Sequence, residues 1–467
     1  MSISTALFTG ISGLNTLGNA MTVIGDNIAN VNTIGFKGSR ATFEDVLAQS
    51  ISTAAGTAQV GRGTTLSTVN MLFQQGSFES TSEPTDLAIG GKGFFIVKQP
   101  DTESEYYTRA GQFRFDKDGQ FINPAGYVVR GWRLDENGET QGAITDIILD
   151  SFTSPPDATE EIRVITNLDS REASASADLS AAWDGTAGTP IASTSYIYQT
   201  ALQVYDDLGS SHDLTIYFDP GAAANTWEYI VTCNPAEDYR AGFSGEAEQG
   251  LLLRGTITFN ASSGAIEGLT YQECTDPAAG TWAAASLSAD GYPEFDARFS
   301  AAGSIQTMRL NIGTRTTDAG ATWTNDALST TQYASSSTTI FQTQDGYATG
   351  FLQDIAVDTD GVITGHYSNG QILALYRVAL ANFNNPWGLS KEGGNLFRAT
   401  RASGDPTTGQ PGTNGLGKIA PNALEQSNVD IATEFVKMIT VERGFQANSK
   451  IITTTDAMLA ELINLKR

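Results

Sequence analysis

Apolar residues recur from the start of the chain at Ile3, Leu7, Leu14, Leu17, Met21, Ile24, Ile28 and Val31. The steps alternate between four and three, with Gly10 filling the one missing place. That is the a/d seam of a heptad, held for about four repeats, and it predicts an amphipathic helix. At the other end Ile431, Met438, Phe445, Ile452 and Leu459 follow at steps of seven, and Phe435, Val441, Leu462 and Ile463 widen the stripe. Ser427, with Asp430 three residues on, predicts a capping box at the start of this second helix. Helices that merely cover a globular core show similar stripes. Two features argue for a separate helical layer instead. The first helix holds Gly10, Gly13, Gly18 and Gly25, each costing about 0.5–1 kcal/mol relative to alanine, so it needs a partner to be stable. The two helices also flank a chain whose middle reads as β.

Between them the period changes to two. Phe113 and Phe115 precede Asp116-Lys-Asp-Gly119, and Phe121-Ile122 follow, which predicts a hairpin. Asp135-Glu-Asn-Gly138 and Asp358-Thr-Asp-Gly361 predict two more. Tyr196, Tyr198, Leu202 and Val204 alternate before Asp206-Asp-Leu-Gly209, then Leu214, Ile216 and Phe218, then Trp227, Tyr229, Val231 and Cys233. Shifts in composition divide the chain into nested parts. Residues 1–32 and 426–467 form a coiled-coil helical domain, and 33–75 with 404–425 a connecting region. Residues 76–150 with 341–403 form a β-rich body, and 151–340 an inserted outer β region of one or two domains. The expected fold class is mainly β with α-helical termini, the two helices forming a terminal coiled-coil layer.

Charge narrows the function. The 467 residues carry 52 acidic against 27 basic side chains, a net −25, which argues against nucleic acid or an anionic membrane as partner. No apolar run approaches the ~20 residues of a membrane span. The first basic residue is Lys37, unlike the early charge of a cleaved secretory signal. Two cysteines, Cys233 and Cys274, and two distant histidines, His212 and His366, offer neither a disulfide scaffold nor a metal site. Gly412-Thr-Asn-Gly-Leu-Gly417-Lys418 has P-loop spacing but ends in Ile419 where a hydroxyl is needed. It reads as a flexible linker. The Asp-x-Asp-Gly segments at Asp116 and Asp358 resemble the opening of a calcium loop but lack the later glutamate, and read as turns. No constellation supports catalysis or a cofactor.

Asp26-Asn-Ile-Ala-Asn-Val-Asn-Thr-Ile-Gly-Phe-Lys37 resembles the signature of the flagellar axial proteins, within which Ala29, Asn30, Thr33, Gly35, Phe36 and Lys37 stand out. Ser427-Asn-Val-Asp-Ile-Ala432, Glu442-Arg443, Phe445-Gln-Ala-Asn448 and Thr453-Thr-Thr-Asp456 resemble the same family's C-terminal helix. Asp86–Val97 and Tyr107–Phe113 are similar to the body shared by its rod and hook members. Val204–Gly209 through Tyr217-Phe218, Gln344–Phe351 and Leu380–Phe383 are similar to its hook members. The resemblance implies a homopolymeric tube whose terminal helices pair around an export channel. It implies partners in the rod, the hook cap, the hook-associated junction proteins and the type III export apparatus, and a place outside the cell in the hook, reached without a cleaved signal. It also implies that Asn30–Phe36 and the glycine-rich loops beyond form a flexing link. Another axial protein, of the distal rod or the hook–filament junction, and an extracellular β-rich binding or hydrolytic protein are the alternatives.

Overall fold

The structure, a computed structural model, describes residues 3–53, 56–100, 102–135, 138–316 and 322–464. Helices lie only at its ends among the described residues, apart from two short 3-10 turns: α1 spans Ile3–Ala29 and α2 spans Ile431–Asn464. Between them the described residues otherwise form strands and turns. The fold is mainly β with paired terminal helices. The chain divides into two compact units. One comprises Met1–Phe152, Leu352–His366 and Gln371–Arg467, and the other Thr153–Phe351 with Tyr367–Gly370.

In the first unit the strand Phe94–Lys98 is buried on both faces. Its side chains alternate, so Phe95 and Val97 enter one apolar cluster while Phe94 and Ile96 enter another. Phe95 meets Phe113 edge to face and Phe113 meets Phe121 at a tilt in the first cluster, with ring centroids 5.0 and 5.3 Å apart. Phe94, Phe383 and Phe397 do the same in the second. The nested chain closes through strands from its two ends: Lys418–Pro421 runs antiparallel to Leu87–Gly90, and Ala423–Glu425 antiparallel to Phe78–Ser80. Lys418 therefore sits in a strand, with Gly417 N–H donating to Lys92 O. The segment read as a flexible linker is an ordered turn, because its backbone groups are claimed by the sheet. No helix follows it, so it cannot cradle phosphate as a P-loop does.

The second unit is built on a meander of Tyr198–Tyr205, Ser211–Pro220, Thr226–Cys233 and Leu251–Phe259. Trp227, Tyr229, Val231 and Cys233 share one buried face, as their alternation predicts. They pack in one core with Ile162, Val164, Met308 and Leu310 from a second sheet. Burial raises the Cys233 thiol far above its ordinary range, and both cysteines are free.

Three hairpin turns share one device. The Oδ1 of Asp116, Asp206 and Asp358 accepts from the backbone N–H two residues on, at 2.9, 3.0 and 2.9 Å, and four residues on, at 2.8, 2.7 and 2.8 Å. The glycine between these donors has φ between +74 and +81°, a conformation open chiefly to glycine. In the two calcium-like segments the carboxylate is thus occupied by its own turn. His212 is held by carboxylates, with Nδ1 2.7 Å from Glu237 and Nε2 3.4 Å from Asp206, and its ring stacks on Phe299. That arrangement is a structural clamp in the second unit's core.

The start of α2 differs from the expected capping box. Asp430 Oδ1 accepts from Thr433 N–H at 2.6 Å, whereas Ser427 Oγ accepts from Val429 N–H before the helix begins. Asp430 is the cap because it lies directly ahead of the first helical residue, and Ser427 is one turn too early. The hydrogen bonds from Thr433 hold the Asp430 carboxyl below its ordinary value. A depressed folded value gives stability that is present above the ordinary carboxylate value and lost as pH falls from there through the lowered one. Asp430→Ala should lower the amide-exchange protection factors of Thr433 and Glu434, measured against the unstructured rate at the same pH, as protonating Asp430 at low pH should in the unmodified chain. Ser427→Ala should leave both amides unchanged.

Candidate functional site: the paired terminal helices and the clasp at their base

α1 and α2 pack antiparallel. Near one end of the pair Gly10 meets Ile452 and Asn448, and further along Leu17 meets Gly444. Two of the α1 glycines are explained by this approach. A Cβ at Gly10 would stand 3.1 Å from Ile452 Cγ1, and one at Gly13 2.8 Å from Asn448 Oδ1. Asn448 in turn donates to Gly444 O at 3.0 Å, so the contact places an amide against two glycine backbones.

The first heptad stripe faces inward. Ile24 is buried, and Leu7, Leu14, Leu17, Met21, Ile28 and Val31 are half-buried. On α2, Met438, Ile452 and Leu459 are half-buried, together with Val441. Ile431, Phe435 and Phe445 are exposed, and so are Val436, Ile439 and Ile451. The side chains of Ile3 and Leu462 lie outside the described ones. The stripe on α2 is thus wider than one partner helix can cover. The single chain buries the Met438–Ile452–Leu459 edge and leaves the other apolar edge open.

At the base of the pair the signature residues form a set of interlocking contacts. Asn27 is buried, donates to Ser39 O and Glu434 Oε2, and accepts from Ser39 N–H. Asn30 donates to Asp26 O at 2.9 Å, Thr33 Oγ1 donates to Asn30 Oδ1 at 3.1 Å, and Ala29 ends the helix on its exposed side. Gly35 turns the chain at φ +69°, and its N–H donates to Glu425 O at 2.7 Å. A Cβ there would come within 2.6 Å of Ala110 N, so no other residue fits. Phe36 is buried, with the Lys391 ammonium 5.3 Å from its ring centroid. The segment expected as a flexing link is therefore held at most of its turns.

Lys37 completes the clasp. Its side chain is fully buried and donates to Glu425 Oε1 at 2.5 Å and to Gln74 O at 2.8 Å. Glu425, also fully buried, receives Arg109 Nη1 at 3.3 Å and Gly76 N–H at 2.9 Å. Arg109 further donates to Gly91 O at 2.8 Å and lies over the Phe94 ring. Burial pushes the Lys37 ammonium below its ordinary value, against the opposing pull of Glu425, and does the same to Arg109. One carboxylate thus serves two buried cations, and the carbonyls of Gln74, Ile89 and Gly91 accept further hydrogen bonds from them, while Arg109 Nε is left without a partner among the described residues. Three distant stretches of chain meet there: the exit from α1, the strand end at Arg109 and the approach to α2. Glu425 and Arg109 escape sequence reasoning. The available signal was an acidic residue following Ala423-Leu424 in a short apolar strand.

Removing Glu425 leaves two buried cations unpaired, a change that typically costs about 3–5 kcal/mol. Glu425→Gln should therefore lower the denaturation midpoint of the first unit by a loss of that order. Adding Lys37→Met should recover part of it, because one desolvated charge is gone. A double variant as unstable as the sum of both singles would show that the charges do not interact.

Comparisons with known proteins match both ends of the chain and the region between to one group of families. Residues 7–37 match the family model described as flagella basal body rod protein, and 420–465 match the flagellar basal body rod FlgEFG protein C-terminal model. Residues 88–167 match the flagellar hook protein FlgE/F/G D1 domain, and 167–347 the flagellar basal body protein FlaE D2 domain. Over its whole length the chain is similar to proteins named flagellar hook protein FlgE. It is 35% identical to that of Borreliella burgdorferi, covering 99% of each chain. It is 34% identical to that of Treponema pallidum, again over 99% of each, and 31% identical to that of Brucella suis over 100% of each. With relatives 31–35% identical that are matched over 99–100% of their own length, the chain belongs to the flagellar hook protein family.

Proposed function

We propose that this chain polymerises into the curved, flexible tube of the hook, passing torque from rod to filament around an export channel. The observation that carries the reading is the α1–α2 pair with its second apolar edge uncovered, Ile431, Phe435, Ile439 and Phe445 standing exposed on one chain. Burying such an edge against neighbouring copies is worth roughly 25 cal/mol per Å². The role is structural and non-enzymatic, with binding energy rather than chemistry as its output. The helices of residues 1–32 and 426–467 form the inner layer and 33–75 with 404–425 the connection; the body and the outer region expected at 76–150 with 341–403 and at 151–340 divide instead at 152/153 and 351/352, with 367–370 joining the outer region. Copies of the chain are the main partner, with rod, cap and junction proteins at the ends of the tube. Export through the flagellar type III apparatus brings the subunit to the growing tip.

Deleting residues 1–31 should leave folded β units that remain monomeric where the full chain forms polymers. Tubes from the truncated protein, seen by electron microscopy, would contradict the reading. In cells lacking the gene, basal bodies should show complete rods ending bluntly. Shortened rods would indicate a rod subunit instead, and hooks without filaments a junction protein.

A further inference from the structure

Gly10 and Gly13 are explained by the approach of α2, but Gly18 and Gly25 are not. A Cβ at either position would find no atom within 4 Å. Glycine is nearly the poorest helix former, so α1 is weakened at two places for which the single chain shows no need. Gly18 lies in a groove of about 390 Å³ between the helices, lined with Leu17 and Met21 on α1 and Val441 and Phe445 on α2. Thr22 and Glu442 complete its lining. The groove is apolar and open.

The same exposed stripe of α1 carries large apolar side chains nearer its N-terminus. Phe8 is 69% exposed and Ile11 51%. Ile11, Gly18 and Gly25 are seven residues apart and share one face, with Phe8 one turn before Ile11. Phe8 cannot fill the groove of its own chain, because ten helical residues set it about 15 Å away along the axis. One stripe therefore presents a knob at one end and a hole at the other. Complementary patches at different places on one molecule make a heterologous contact, which repeats into a helical filament rather than closing as a dimer. A second copy displaced along the helix axis meets both requirements at once.

We propose that Phe8 of one copy seats over Gly18 of the next, in the groove between α1 and α2, and that this contact sets the axial repeat of the inner layer. It rests on the polymerising reading above and names the residues that specify it. Gly18 is kept small to admit the aromatic ring.

The test uses the full-length chain. Phe8→Cys with Gly18→Cys places two thiols too far apart for an intrachain bond, while Cys233 and Cys274 are buried. Polymers pelleted and oxidised should give a ladder of disulfide-linked multimers on a denaturing gel, which neither single variant gives. Gly18→Leu, whose Cβ finds no atom of its own chain within 4 Å, should keep its helix content and raise the concentration needed for assembly at least tenfold. Polymers that pellet normally without a ladder would overturn the proposal. Should the cysteine pair abolish pelleting, Gly18→Leu decides: assembly at the unmodified chain's concentration overturns the proposal, and its loss supports it. Failure of the unmodified chain to polymerise would instead overturn the reading on which the proposal rests.

Discussion

The first unit depends on one buried carboxylate. Glu425 neutralises Lys37 and faces Arg109, and its backbone oxygen accepts from Gly35. Without it, the exit from α1, the strand end at Arg109 and the approach to α2 would meet as two desolvated cations. With it, the two ends of the chain are fixed at one point, and α1 and α2 leave that point as neighbours. The antiparallel pairing of the helices follows from this closure as much as from their apolar stripes. Buried ion pairs of this kind contribute little net stability over an apolar substitute, but they penalise every arrangement in which the partners are separated. That suits a chain whose ends must be held in register.

The helix pair itself is held more by shape than by area. Gly10, Gly13 and Gly444 let the backbones approach, and Asn448 fits between them. The apolar edges are only partly used. α2 carries more exposed large apolar side chains than a monomeric surface helix normally shows, from Ile431 and Phe435 through Ile439 to Phe445. Intrachain geometry and assembly geometry thus divide a single stripe between them.

The β regions depend on ordinary rules. Period-two alternation sends Phe95 and Val97 to one side and Phe94 and Ile96 to the other, and the Asp-x-x-Gly turns close the hairpins through their own backbone. The carboxylates that looked like cation ligands are spent on turn geometry. His212 is spent on a clamp to Glu237 and Asp206.

The sequence by itself determined the two terminal helices, the hairpins at Asp116, Asp206 and Asp358, and the buried face of Trp227–Cys233. Each is a local pattern, and side-chain periodicity is fixed by the backbone whatever the rest of the chain does. It also marked Gly35 and Lys37 as special, though only through resemblance. Tertiary structure decided the rest. Lys37 and Glu425 are separated by 388 positions, and no local pattern links them. The cap of α2 passed from Ser427 to Asp430 because Gln426 and Asn428 are still tied to Ser77, Gly38 and Leu72, and the chain coils only beyond them. Which glycines packing requires is decided by α2, which presses on Gly10 and Gly13 and leaves open space beside Gly18 and Gly25. Long-range closeness, unlike periodicity, is a property of the assembled fold and leaves no spacing to read.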